Sequence, residues 1–339
     1  MDQEAEGVMK VTRMRCMVAV VLLIALAGFC LAFRNREVDR VYQVGVMITD
    51  DTYLTPVEGF KQAMKELGYV EGQHIAYHLR NAKLDREALR RFADEFVKQR
   101  VDLIFTATYV GASLAKEATA AAGIPVVFGP AGDPVETGLV QSIAASGNNL
   151  TGVSTLSLEL TAKRLEMLTR LIPKARRVAV VFNPEDRFSQ EVVKLTYRSA
   201  ERLNLTLVEC HGRNAGEIRQ SLEGLRRDQV DAVFAIPDVL VNNQVATLSA
   251  IARERKLPYI VHIGSLVERG ALASYGINTF QIGRQAARLA DKILNGTRPA
   301  EIPIETPRKL ELVINLRVAK EIGLAIPNQL LREADVILR

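Results

Sequence analysis

Arg177-Val-Ala-Val-Val-Phe-Asn183 is a short β-branched run with no polar alternation. Such a run reads as a strand buried on both faces, the strand type of a parallel sheet covered by helices. It also echoes an earlier passage, because Val41-Tyr-Gln-Val-Gly-Val-Met-Ile48 opens the first half of the chain in the same way. Val230-Asp-Ala-Val-Phe-Ala235 likewise matches Val101-Asp-Leu-Ile-Phe-Thr106, and Leu257-Pro-Tyr-Ile-Val261 matches Ile124-Pro-Val-Val-Phe128. These echoes stand about 130 residues apart. One α/β unit therefore occurs twice, and each copy carries its own strands.

Helical periodicity fills the gaps between the strands. Pro56 to Leu67 reads as a helix stopped at Gly68, Asp85 to Val97 repeats apolar residues at helical spacing, and Gly111 to Ala122 continues the pattern. The fold class expected is α/β, with two similar Rossmann-like lobes, parallel sheets flanked by helices, and a hinge of crossover segments. The expected division is 1–40 as signal or anchor segment and linker, 41–152 with 279–304 as one lobe, and 153–278 with 305–339 as the other. Turn-rich Gly147-Asn-Asn-Leu-Thr-Gly152 is one crossover, and Ile277 to Thr279 and Pro303 to Pro307 return the chain between lobes.

Lys10, Arg13 and Arg15 precede an uncharged stretch from Met17 to Phe33. A basic flank followed by an apolar segment is an export signal or a short anchor, which predicts an extracytoplasmic protein, tethered or secreted. Ala25-Leu26-Ala27 offers a cleavage site. Leu26-Ala27-Gly28-Phe29-Cys30 is similar to a bacterial lipoprotein box with Phe29 in place of a small residue, which makes Cys30 a candidate for lipidation. An uncleaved anchor is the third alternative.

The 339 residues are 48% hydrophobic and 24% charged, the balance of a folded globular chain of two lobes. The net charge of +5 comes from interleaved acidic and basic residues without a long Lys/Arg block, so no nucleic-acid partner is expected. Trp is absent and aromatics make up 6%. Cys16 and Cys30 lie beside or within the apolar segment, leaving Cys210 alone in the folded part with no partner for a disulfide.

In open parallel sheets, ligands sit beyond the carboxyl ends of the strands. The residues just after each expected strand are therefore the candidate ligand contacts. They are Thr49, then Thr106 and Thr108, then Asp133 and Pro134 in the first lobe. In the second they are Asn183 and Ser189, Pro237 and Asp238, and Ser274 and Tyr275. Asp carboxylates suit a ligand ammonium, and Thr and Ser hydroxyls suit a carboxylate or carbonyl. Each also has a structural reading: Asp133 before Pro134 has the chemistry of a helix N-cap, and Ser189 that of a cap on the helix beginning there.

Signals for enzymatic chemistry are missing. There is no Gly-x-Gly-x-x-Gly opening a helix after a strand, no phosphate-binding Gly-x-x-x-x-Gly-Lys-Ser/Thr loop and no Gly-x-Ser-x-Gly elbow. His74 and His78 fall on one face of an expected strand, but no third ligand follows at useful spacing, so they read as an incidental pair. Neither an enzyme, nor a metal, nor a cofactor is expected. An apolar segment also stands where a two-lobed repressor would carry its helix-turn-helix.

Several longer passages resemble one family. Ile124-Pro-Val-Val-Phe-Gly-Pro-Ala-Gly-Asp-Pro-Val-Glu-Thr-Gly-Leu-Val140, Asn149-Leu-Thr-Gly-Val-Ser154 and Lys163-Arg-Leu-Glu-Met-Leu168 occur in order. Gly283-Arg-Gln-Ala-Ala287, Lys292-Ile-Leu-Asn-Gly296, Leu312-Val-Ile-Asn-Leu316 and Ala319-Lys-Glu-Ile-Gly-Leu-Ala-Ile-Pro-Asn-Gln-Leu-Leu331 follow. Together they resemble the bacterial ABC-transporter substrate-binding proteins of the type that includes tryptophan and tyrosine binders. The resemblance implies a periplasmic-binding-protein type I fold and capture of a small polar solute between the lobes. Delivery to an ABC permease and its ATPase is the partnership it implies. A membrane-tethered sensor that signals to a partner is the alternative. Pro237-Asp238-Val-Leu-Val-Asn-Asn keeps an Asp but departs around it from the loop of the family's amino-acid binders.

Overall fold

The computed structural model describes residues 40–339; the export segment and Cys30, the lipidation candidate, lie outside the described residues. The first sheet comprises β1 (Tyr42–Ile48), β2 (Ile75–Asn81), β3 (Leu103–Thr106), β4 (Val126–Phe128) and β5 (Leu150–Gly152), in the order β2-β1-β3-β4-β5. All its pairings are parallel. Helices α1 (Leu54–Glu66), α2 (Arg86–Gln99) and α3 (Tyr109–Thr119) connect the strands. In α2 the cause of the helix is visible locally. The Asp85 carboxylate accepts from the Glu87 and Ala88 amides, Ala88, Leu89, Ala93 and Phe96 form the buried stripe, and Arg100 ends it in a left-handed conformation.

The second half begins with α4 (Ser157–Leu171) and continues through β6 (Arg177–Phe182), α5 (Arg187–Arg202), β7 (Thr206–His211), α6 (Ala215–Glu223) and β8 (Ala232–Ala235). Then come α7 (Val239–Asn243), α8 (Val245–Glu254), β9 (Tyr259–Val261), α9 (Gly264–Glu268) and β10 (Ala273–Ile277). The order β7-β6-β8-β9-β10 repeats β2-β1-β3-β4-β5 step for step. The sequence echoes thus mark equivalent strands, β6 with β1, β8 with β3 and β9 with β4, and the α/β two-lobed expectation is borne out.

One departure is in the sheet of the second lobe. After β10 the chain forms α10 (Thr279–Leu294), then returns as β11 (Leu310–Asn315), α11 (Leu316–Glu321), α12 (Asn328–Glu333) and β12 (Val336–Leu338). β11 joins β10 antiparallel, with Tyr275 opposite Leu312, and β12 extends the sheet to seven strands. The sheet is therefore mixed rather than wholly parallel, because β11 enters from the other lobe rather than through a crossover helix.

Helix α10 packs on α1 of the first lobe. Gly283 allows this, since a Cβ there would collide with the Pro56 carbonyl. Beneath α1, Phe60 stacks on Phe105 with ring centroids 4.3 Å apart. Two of the crossing strands meet side by side: Val153 bridges Glu305, the Glu305 amide donates to the Gly152 carbonyl, and the Ser154 amide donates to the Glu305 carbonyl.

Candidate functional site

Residues that follow strands of both sheets line a cleft of about 800 Å³, counted with its open mouth. Tyr53 after β1, Thr108 after β3 and Gly132 after β4 come from the first sheet. Phe188 after β6, Asp238 after β8 and His262 after β9 come from the second. Side chains collect here because each βα connection starts at the carboxyl end of its strand.

Tyr53, Tyr109 and Phe188 give the cleft aromatic walls. Phe188 approaches Gly132, where a Cβ would lie 3.7 Å from its ring. Acidic groups gather on the side of β6 and β8. Asp186 caps α5 by accepting from the Ser189 amide at 2.7 Å. Asp238 accepts from the Val241 amide at 2.9 Å and from the Ser189 hydroxyl at 2.7 Å. Burial pushes the Asp238 carboxyl above its ordinary range, and the charge of Asp186 adds to the push.

A cation lies at the base. Arg164 is 1% exposed and sits within the buried stripe of α4 between Leu160 and Leu168. Its Nε donates to the Tyr275 carbonyl at 3.0 Å and its Nη1 to the Ser157 carbonyl at 3.2 Å, while Nη2 has no partner in the protein. Burial lowers its guanidinium to about 10, and the nearby Asp133 opposes that shift, so it stays cationic at neutral pH. His262 is also buried, and its Nδ1 has no partner in the protein. Burial, then the charge of Arg164, lowers the imidazole to about 3, which leaves it neutral. Gly276 lets the two approach: a Cβ there would collide with the His262 carbonyl and stand 3.4 Å from Arg164 Nη2.

At the edge of the cleft, hydrogen bonds join the lobes directly. Asn243 Nδ2 donates to Asp50 Oδ2 at 3.1 Å, and Arg269 Nη1 donates to Thr52 Oγ1 at 3.0 Å.

Of the residues expected from the sequence, Thr108, Pro237 and Asp238 line the cleft. The others lie outside its lining. Thr49 donates to Asp50 Oδ2, Thr106 is wholly buried, and the Pro134 carbonyl accepts from the Val140 amide in a turn. Asn183 accepts from the Glu185 amide, Ser189 supports Asp238, Ser274 is buried in β10, and Tyr275 holds Arg164 through its carbonyl. Two capping readings need correction. No helix follows Asp133; its carboxylate accepts instead from the Leu158 amide at 3.0 Å, in the first turn of α4. Ser189 lies inside α5, whose cap is Asp186. Burial raises Asp133 to about 6, Glu159 adds to this, and the Leu158 amide and Arg164 pull it back.

Arg164 and His262 were absent from the sequence expectations, yet each leaves a signal. An arginine at the centre of an apolar helical stripe is out of place unless buried for a reason. His262 directly follows an expected strand, the position read for every other candidate. Neither His74 nor His78 joins a metal site. His74 Nδ1 accepts from the Val70 amide, His78 pairs with Gln43, and among the described residues no group of three potential metal ligands occurs.

Comparison with known proteins agrees with this arrangement. Residues 42–337 match the family described as ABC transporter substrate binding protein. A tyrosine-binding protein of Clostridioides difficile is 32% identical over 259 residues, which cover 76% of this chain and 73% of that protein. A structure of an ABC domain in complex with L-Trp from Streptococcus pneumoniae shares the fold at 23% identity, with a TM-score of 0.81, covering 88% of this chain and all of that one. The ligand-free, open structure of CD0873, a substrate binding protein with adhesive properties from Clostridium difficile, is 28% identical with a TM-score of 0.68, covering 88% of this chain and 99% of that one.

Proposed function

The chain belongs to the ABC transporter substrate-binding protein family, and from that premise we propose that it captures an amino acid between its lobes and delivers it to a permease. It is a binding protein, not an enzyme. The observation that carries the reading is the cleft itself, lined from the carboxyl ends of both sheets and walled by Tyr53, Tyr109 and Phe188. A solute touching both lobes stabilises the closed arrangement by contacts the open one lacks. The tyrosine-binding relative supports an amino acid as the solute class, and the aromatic walls suit a bulky side chain.

The lobes proposed are 41–152 with 279–304 and 153–278 with 305–339, hinged at the paired segments around Val153 and Glu305. Thr108, Pro237 and Asp238 are the proposed ligand contacts among the residues expected from sequence. The N-terminal segment is proposed to hold the protein outside the cytoplasmic membrane, beside its permease and ATPase.

Calorimetry and small-angle scattering of the full chain with L-tyrosine, L-tryptophan, L-phenylalanine and L-leucine test the reading. Binding with a decrease in radius of gyration is expected. Absence of binding by all four, or binding without compaction, overturns it.

A further inference from the structure

We infer that Arg164 and His262 together form the seat of the solute's carboxylate, with Arg164 setting the preference for an anionic group. The inference deepens the amino-acid reading and rests on it. Three polar atoms of the cleft's lining residues are buried without a hydrogen-bond partner in the protein: Arg164 Nη2, His262 Nδ1 and Asn242 Oδ1, of which the first two are donor positions beside one another. Buried polar groups are normally paired, and an unpaired donor is costly. The two residues are neighbours: Arg164 Nη2 and the His262 backbone carbonyl both stand against Gly276, and the charge of the guanidinium acts on the imidazole.

The arginine's present bonds do not explain its charge. Both go to carbonyl oxygens, at Tyr275 and Ser157, which an uncharged amide could also satisfy. A guanidinium that is 1% exposed calls for an anion close by. Asp133 is near enough to act on it electrostatically, yet its own carboxylate is engaged by the Leu158 amide. A solute carboxylate accepts from Nη2, the donor that Asp133 leaves without a partner. The neutral imidazole, in the tautomer carrying Nδ1–H, donates the second bond. Asp186 and Asp238 give the same cleft a side of opposite sign. A cavity polarised in this way suits a zwitterion oriented with its carboxylate toward α4 and β9.

Matched pairs test the seat on the full chain by calorimetry: L-tyrosine against L-tyrosinamide, L-tryptophan against L-tryptophanamide, and L-leucine against L-leucinamide. The acids are expected to bind at least about 30-fold more tightly than the amides, the scale of a desolvated charge-assisted contact. In Arg164→Gln the ratio is expected to fall to within about threefold, with Arg164→Lys retaining part of it. Equal binding of acid and amide in the native chain overturns the carboxylate seat and leaves the amino-acid reading standing. Absence of binding in every pair overturns both. An Arg164→Gln protein that weakens acid and amide alike, keeping their ratio, marks the arginine as a structural clamp and also overturns the inference. Should Arg164→Gln fail to fold by circular dichroism, the native ratio decides.

Discussion

At the edge of the cleft, Asp50 and Asn243 satisfy one another across the lobes, as do Thr52 and Arg269. At its base, Arg164 and His262 each keep a buried nitrogen without a protein partner. The edge is chemically complete from the protein alone, whereas the base is not. Contacts that are complete without solute favour closure in general, but cannot report that the correct solute has arrived. Selectivity comes from the groups that a solute must satisfy, because leaving them unpaired in a closed, dry cavity is costly.

The largest effect is expected from crowding the base. In Gly276→Ala the new methyl meets the His262 carbonyl and presses toward Arg164. Denaturant unfolding should show a loss of about 3 kcal/mol, the upper part of the usual range for overpacking. A loss below about 0.5 kcal/mol would show that β10 moves aside freely and that the base is not the rigid partner in the comparison.

Acid titration separates two groups at the base. The folded value of His262, about 3, lies below its ordinary 6.5, so the unfolded chain binds more protons in that window and stability falls as pH is lowered. From pH 7 to 5 this amounts to about 2 kcal/mol. Asp133 acts in the opposite sense. Its folded value, about 6, lies above 3.8, so its burdened carboxylate is relieved on acidification and stability rises by about 1 kcal/mol over the same interval. The native chain should therefore lose about 1 kcal/mol or less. His262→Gln should gain stability on acidification, and Asp133→Asn should reveal the full loss. Parallel pH profiles for all three proteins would break the assignment.

The smallest effects belong to the edge. Asn243→Ala and Arg269→Ala each remove one hydrogen bond between the lobes and one to a nearby carbonyl, of Val239 or Asn242, all between partly exposed groups, and should cost about 1 kcal/mol of stability. Affinity for an accepted solute should weaken about three- to tenfold, the acid-to-amide ratio should stay unchanged, and scattering should show a less compact solute-free chain. A change in that ratio would mean that the edge also selects.

Much of the architecture was legible in the chain. Short β-branched runs depend on local character, and their recurrence at a fixed spacing marked the equivalent strands β1 with β6, β3 with β8 and β4 with β9. The rule that sites follow strand ends led to Thr108, Pro237 and Asp238, which do line the cleft. It did not distinguish a residue facing the cavity from one turned under it, as Thr106, Ser274 and Asn183 show. Thr106 and Ser274 lie within β3 and β10, whose ends the sequence placed too early, and Asn183 lies past β6, where the two-residue alternation no longer applies.

By itself the sequence determined that two α/β units exist, which segments form their strands, and that their carboxyl-end loops hold the candidate site. Periodicity and β-propensity are local properties, and a duplicated pattern carries them twice. Only the tertiary structure decided that β11 joins its sheet antiparallel, that Asp133 reaches the first turn of α4 rather than capping its own helix, and that Arg164 meets His262 at Gly276. These outcomes depend on contacts between residues far apart in the chain, formed where the chain crosses between lobes.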